Sequence, residues 1–380
     1  MDFNLSEDQR AIEDAARAFA LAELAPHSAR WDEDKVMPRE VLQAAAELGF
    51  AGLYVQEDVG GSALGRLDAS IVFEQLSYGD VSVAAFISIH NMASWMIDRF
   101  GSDDLRRRYL PKLTTMEFVA SYCLTEPGSG SDAAAMKTSA VKDGDTYVLN
   151  GSKAFISGAG YSDVYVVMAR TGGGQGAKGV SAFVVENGTP GLSFGAPERK
   201  MGWNAQPTAT VNFDDCRVSE ANRIGAEGDG FKFAMAGLDG GRINIASCSL
   251  GGAGLALDTT KSYLETRKQF GQALKEFQGL QWRFADMATE LDAARLMVRR
   301  AAHSLDNKHP SATQHCAMAK RFATDAGFEV ANQALQLHGG YGYLADFPLE
   351  RIVRDLRVHQ ILEGTNEIMR VITARELFRQ

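Results

Sequence analysis

Cysteine is scarce in this chain: four residues in 380, Cys123, Cys216, Cys248 and Cys316, with no two at CxxC spacing. That excludes a disulfide framework and a zinc-ribbon pattern, and reduced thiols are expected. Positive charge is in deficit, 39 Lys and Arg against 48 Asp and Glu for a net −9. Nothing in that balance attracts nucleic acid or an anionic membrane, and neither is expected as a partner. No run of about 18 apolar residues exists to span a bilayer. The N-terminus has no apolar core and no arginine-rich stretch, which leads to a cytoplasmic expectation. A mature organelle protein without its presequence reads alike. There is no HExxH, no GxxxxGK[ST] and no GxSxG, so metal, ATP and serine-hydrolase chemistry have no motif to rest on and no metal is expected. His303, His309 and His315 lie around a loop and are expected in solvent.

What is present is an ordinary globular composition, 45% hydrophobic and 23% charged, at a length that suits two or three domains. Ser6-Glu7-Asp8-Gln9 fits a capping box. Ile12, Ala15, Ala16, Phe19 and Leu24 follow it at helical spacing. Pro38 opens a helix over 40–48 that Gly49 ends. Further helical patterns cover 67–77, 82–100 and 103–110, the last closed by Pro111. Beyond it, 136–142 and 145–149 flank Asp143-Gly144, and Asn150-Gly151 follows; both dipeptides suit tight hairpins. Strand-like runs recur at 164–170, 180–186 and 208–214, and Thr171-Gly172-Gly173-Gly174-Gln175-Gly176 reads as a flexible loop. The helical period returns over 230–267, 278–305, 311–338, 349–360 and 365–379. The expected architecture is α+β. It has a helical domain over 1–116, an antiparallel β domain over 117–216 and a four-helix-bundle domain over 217–380.

Three segments carry candidate chemistry. Gly128-Ser129-Gly130-Ser131-Asp132-Ala133 matches G-x-G-x-x-A in letters, but hairpin-rich sequence follows where a dinucleotide fold needs a helix. The segment reads either as a Pro-Gly turn or as a polar lining, in which free N–H groups and the hydroxyls of Thr125, Ser129 and Ser131 meet a cofactor edge. His338-Gly339-Gly340-Tyr341-Gly342-Tyr343 ends a long helix. Its glycines are either a C-cap or a place where a ligand approaches the backbone. Glu363-Gly364-Thr365-Asn366-Glu367 lies between two helical stretches, just after Ile361 and Leu362. A carboxylate there is either solvated or pressed into a dry site, where desolvation raises its pKa and makes it a base.

Four motifs stand in an order characteristic of acyl-CoA dehydrogenases. They are Cys123-Leu124-Thr125-Glu126-Pro127-Gly128-Ser129-Gly130-Ser131-Asp132, then Arg267-Lys268-Gln269-Phe270-Gly271, then Gln336-Leu337-His338-Gly339-Gly340-Tyr341-Gly342 with Asp346, Arg351 and Asp355, and last Glu363-Gly364-Thr365-Asn366-Glu367-Ile368. The chain resembles that family from about residue 3 to 378, also in its helices–sheet–helices order. The resemblance implies FAD, held between sheet and helical domain, and oxidation of an acyl-CoA to its 2,3-enoyl product. Electrons then pass to electron-transferring flavoprotein, and a homotetramer is implied. The α-proton falls to Glu363; Gly241 stands where other members carry their base, and a glycine cannot take a proton. The flavin ring falls to Tyr122, Cys123, Leu124, Thr125, Gly130 and Ser131, and to Phe155, Ile156 and Ser157. Pyrophosphate and adenosine fall to Arg267, Phe270, Phe277, Gln278, Gln336, Leu337, His338, Gly339 and Gly340, partly across a subunit boundary. Thr365, Asn366 and Glu367 fall near the adenosine half. Ser131, Asp239, Arg242 and Arg375 fall to the CoA thioester. The stretches 87–92, 241–248 and 358–364 resemble members acting on short branched chains. They imply conversion of isobutyryl-CoA to methacrylyl-CoA in valine catabolism, with a straight short-chain or 2-methyl-branched substrate as the alternative.

Overall fold

Ser6 caps the first helix as its spacing requires: its hydroxyl accepts from the Gln9 N–H, and the Gln9 side chain accepts from the Ser6 N–H. The structure, a computed structural model, describes residues 4–172 and 176–379. Its first part is helical: α1 Glu7–Phe19, α2 Ser28–Asp34, α3 Arg39–Glu47, α4 Arg66–Gly79, α5 Val81–Phe100 and α6 Asp103–Leu113. The spacing that reaches Leu24 is split, because α1 gives way to a π-type turn at Ala20–Leu24 that brings Leu24 into the core. Pro111 does not stop α6, which runs on to Leu113. An interior proline costs about 3 kcal/mol, whereas burying two leucines stabilises by roughly 3–6 kcal/mol. Leu110 and Leu113 are both fully buried, and the burial wins.

The middle part is a sheet of β1 Ala120–Cys123, β2 Ser139–Asp143, β3 Thr146–Ser157, β4 Val164–Arg170, β5 Val180–Glu186, β6 Leu192–Phe194, β7 Thr208–Ser219 and β8 Arg223–Ile224. The order is β6-β7-β3-β2-β4-β5-β8, with β1 on β4. Most pairs are antiparallel; β1 runs parallel to β4, and β2 meets the end of β4 in parallel at Arg170. β4 and β5 read as unbroken apolar runs because both their faces are covered. Val164, Val166 and Met168 join Met96, Ile97, Leu105 and Phe233 of the helices. Tyr165, Val167 and Ala169 join Tyr147, Leu149 and Phe213 of the sheet. Asp143-Gly144 turns the β2–β3 hairpin. Asn150-Gly151 does not turn the chain: it lies inside β3, where the register against β7 slips between Leu149 and Gly151. Gly151 is at φ +143, and a Cβ there would fall 2.6 Å from Thr138 Oγ1, so this glycine serves a bulge. The flexible loop expected at 171–176 falls in part on 173–175, outside the described residues.

The last part contains α7 Gly230–Thr266, a two-strand hairpin of β9 Lys268–Gln269 and β10 Gln272–Ala273, then α8 Gln278–Asp306, α9 Ala312–His338, α10 Leu349–Arg357 and α11 Asn366–Leu377. At 37 residues, α7 is about 55 Å long. It is the shared wall of the molecule, packed on α4, α5, α8, α9 and the sheet. The approach of α4 is possible because residue 251 is glycine: a Cβ there would fall 2.0 Å from the Glu74 carbonyl oxygen. His315, expected in solvent, is buried against α8. Its Nδ1 lies 2.9 Å from the Ser304 hydroxyl and its Nε2 lies 2.8 Å from Arg300. All four cysteines are free and buried. Among the described residues no helix is long and apolar enough to cross a membrane.

Candidate active site

The link from α10 to α11 is a tight turn. Residues 358–360 form one 3-10 turn, after which Glu363 takes φ +56 and Gly364 φ +89. A left-handed residue other than glycine costs of order 1–3 kcal/mol and persists where its surroundings over-determine it. Here they do. Thr365 caps α11 by accepting from the Ile368 N–H. Arg242 Nε donates to the Glu363 carbonyl at 3.3 Å, and Lys320 Nζ donates to the Gly364 carbonyl at 2.9 Å.

The turn aims the Glu363 carboxylate at α7. A Cβ on Gly241 would fall 2.6 Å from Glu363 Oε2, so the bare glycine makes the room. That oxygen is shut off from solvent and has no hydrogen-bond partner among the described residues. Burial pushes the carboxyl up to about 7, against the opposing pull of Arg242 and Lys320. A group poised there can take a proton near neutral pH.

Polar atoms left over around the carboxylate mark a place for a ligand. The Tyr122 hydroxyl, Arg66 Nη1 and Asn244 Oδ1 are buried and likewise lack partners among the described residues. Each such group costs about 1–3 kcal/mol if nothing meets it. The Arg66 guanidinium lies 3.7 Å over the Tyr54 ring and 4.7 Å from Trp95, and Asn244 Nδ2 donates to the Tyr54 hydroxyl at 3.0 Å. Arg242 is paired with Asp239 at 2.6 Å, and Asp239 accepts from the Thr313 hydroxyl. The neighbourhood thus draws on the N-terminal helices, β1 and the C-terminal helices together. Tyr54, Arg66 and Lys320 belong to no motif singled out in the sequence, and Asn244 belongs only to the stretch 241–248.

Two surfaces fit the implied FAD. The first follows β1 and β3. Gly128 and Gly130 have open space where a side chain would stand. Phe155, at φ +58, presents an exposed ring beside Ile156 and Ser157. The loop carrying Leu124, Thr125 and Ser131 is anchored by a buried ion pair, Lys153 to Glu126 at 2.8 Å. Lys153 also donates to the Leu124 carbonyl, and Glu126 accepts from the N–H groups of Lys137 and Thr138. The second surface is a groove of about 540 Å³ lined by Arg267, Arg283, Gln336, Leu337, His338, Gly339, Gly340 and Tyr341. Gly339 and Gly340 again face open space, and His338 Nε2 is buried without a partner among the described residues. Two arginines and bare backbone suit a pyrophosphate.

The remaining assigned residues are spread out. Phe270, 94% exposed, stands 6.2 Å from Phe277 at the start of α8, beside Gln278. The Asn366 side chain is spent inside the protein: Nδ2 donates to Thr324 and Asp325, and Oδ1 accepts from Lys320. It braces the Glu363 turn. Glu367 and Arg375 are exposed on α11, and Arg375 lies about 15 Å of helix rise beyond Thr365. No group of three metal-ligating side chains occurs among the described residues.

Sequence profiles for the N-terminal, middle and C-terminal domains of acyl-CoA dehydrogenase match residues 6–117, 121–216 and 228–378. The chain is 57% identical to mitochondrial isobutyryl-CoA dehydrogenase of Bos taurus over 376 residues, 99% of this chain and 90% of that protein. It is 43% identical to acryloyl-CoA reductase (NADH) of Anaerotignum propionicum over 382 residues, 100% of this chain and 97% of that one. Among solved structures, butyryl-CoA dehydrogenase of Megasphaera elsdenii superposes with a TM-score of 0.97 at 38% identity, covering all of both chains.

Proposed function

The chain belongs to the acyl-CoA dehydrogenase family, whose members depend on FAD, and from that premise we propose that it oxidises isobutyryl-CoA to methacrylyl-CoA with Glu363 as the base. The observation that carries the base is the desolvated carboxylate lying on the bare face of Gly241. The branched substrate is supported by the 57% identity to a relative named for it. Bound FAD would supply the hydride acceptor, and Phe155, Ile156 and Ser157 are among the residues that would hold its ring. Glu363 takes the α-proton, which is weakly acidic because negative charge can spread onto the thioester oxygen. The Glu363 backbone N–H is the chain's own donor for that oxygen, an oxyanion-hole role. Asp239 and Arg242, paired beside the base, hold the thioester and its CoA. Entry of the acyl chain expels water and strengthens each of these interactions.

The ring surface and the pyrophosphate groove share no residue within one chain. The family membership supports a cofactor held between two copies, in a homotetramer that passes electrons to electron-transferring flavoprotein. The substrate is tested by anaerobic titration of the flavin-loaded protein with isobutyryl-, butyryl- and 2-methylbutyryl-CoA, with steady-state rates for the same three. Isobutyryl-CoA is expected to bleach the flavin fastest and give the highest kcat/KM. A clear preference for butyryl-CoA overturns the branched-chain reading and leaves the dehydrogenase.

A further inference from the structure

Two buried cations grip consecutive carbonyls of the strained Glu363 turn, and they are not equivalent. Arg242, on the Glu363 carbonyl, has a carboxylate of its own, Asp239 at 2.6 Å. Lys320, on the Gly364 carbonyl, has none in salt-bridge contact among the described residues. Its other acceptor is the neutral Asn366 Oδ1 at 2.9 Å. Lys320 is fully buried, and an ammonium buried against neutral acceptors is costly. A polar residue needed only to brace the turn could do so without a charge. We propose that Lys320 is a positioning residue for the base. It holds the left-handed turn through Gly364, and its ammonium lowers the proton affinity of the Glu363 carboxylate across the gap between them. This rests on Glu363 being the base.

The charges facing the pair support this. Burial lowers Lys320 to about 7, and Glu363 is the foremost group opposing that fall. Reciprocally, Lys320 joins Arg242 of α7 in restraining the rise of Glu363. The hydroxyls of Tyr54 and Tyr122 feel the same carboxylate and are held neutral by burial. Near Lys320, Asp325 of α9 lies within 4 Å of Arg321 and Arg370, and Glu367 of α11 lies 3.6 Å from Arg370. His359, buried and driven down to about 3, carries no charge. Glu363, which it shares with Arg242, is therefore the foremost attraction on Lys320, and Arg242 itself opposes the lysine's charge.

The test uses the flavin-loaded protein with Lys320→Met, Lys320→Gln, Lys320→Arg and Glu363→Gln. Single-turnover flavin reduction by isobutyryl-CoA is followed from pH 5.5 to 9.5, with flavin content and melting temperature as controls. Loss of the cation stabilises the protonated carboxyl. The midpoint of the rising limb is therefore expected to move up by about one pH unit in both neutral variants, a rate roughly tenfold lower below the midpoint. The rate recovers near pH 9, and Lys320→Arg keeps the midpoint. Folded neutral variants with an unmoved midpoint overturn the proposal. So does failure of both neutral variants to fold, since Lys320 then serves folding alone. If Glu363→Gln still reduces its flavin at a near-normal rate, the base assignment itself falls. If Glu363→Gln is inactive and the midpoints are unmoved, only the role of Lys320 falls.

Discussion

Glu363→Gln is expected to bind flavin and thioester yet lose at least about a thousandfold in the rate of flavin reduction, within the range of a deleted general base. The measurement is stopped-flow bleaching of the flavin band under anaerobic conditions. A second signature separates this loss from damage. The Glu363 carboxyl sits at about 7 in the folded protein, above the value of about 4.3 in an unfolded chain. The folded state therefore holds its proton more tightly, and stability falls as pH rises from the lower value through the higher one. Glutamine carries no charge to bury and escapes that fall. At pH 8 the variant should melt no lower than the parent. The wild-type rate should climb with pH through about 7, because the ionised form is the base. Near-parental reduction by the variant would remove Glu363 from the chemistry, and a lower melting temperature at pH 8 would contradict its desolvation.

Lys153→Met is expected to cost stability and flavin together. Lys153 is fully buried, and its partner Glu126 is nearly so. Removing one member of a buried pair typically costs about 3–5 kcal/mol, because the other charge is left without compensation. In a chain of this size that lowers Tm by roughly 5 °C. The same pair anchors the loop from Leu124 to Thr138, so purified variant should hold less than half its flavin. The double change Lys153→Met with Glu126→Gln removes both charges and should regain most of the melting temperature. Without the cation, Glu126 protonates more readily, so the deficit of the single variant should shrink as pH falls. Equal losses in the single and double variants would show that shape, not charge, holds the loop.

Most helix positions were legible from their period, though not α2 Ser28–Asp34, and the covered strands β4 and β5 were legible from their apolar runs. Local signals misled where a distant residue decided the outcome. Pro111 reads as a stop, yet Leu110 and Leu113 carry α6 past it into the core. Asn150-Gly151 reads as a hairpin, yet Thr138, just before β2, needs the space above Gly151. Motif and order singled out Glu363 as the candidate base, and the structure sets its carboxylate on the bare face of Gly241. Lys320 and Lys153 were not legible. A lysine in a helix or strand looks like a solvated position, and only contacts 44 and 27 residues away in sequence give these two their meaning. Asn366 shows the converse: its motif pointed to the cofactor, while its side chain is used up in bracing the turn.

The sealed cysteines give this protein a clock. Burial pushes Cys123 up to about 12 and Cys216 to about 11, and it raises Cys248 and Cys316 as well. Alkylating reagents capture the thiolate, so the native fold offers them nothing, while an opened chain offers four targets. Two of the sulfurs lie in the sheet and two in the helical bundle. The order in which a maleimide consumes them therefore reads which layer breathes first. Repeating the reaction with and without flavin measures how far the cofactor quiets each layer.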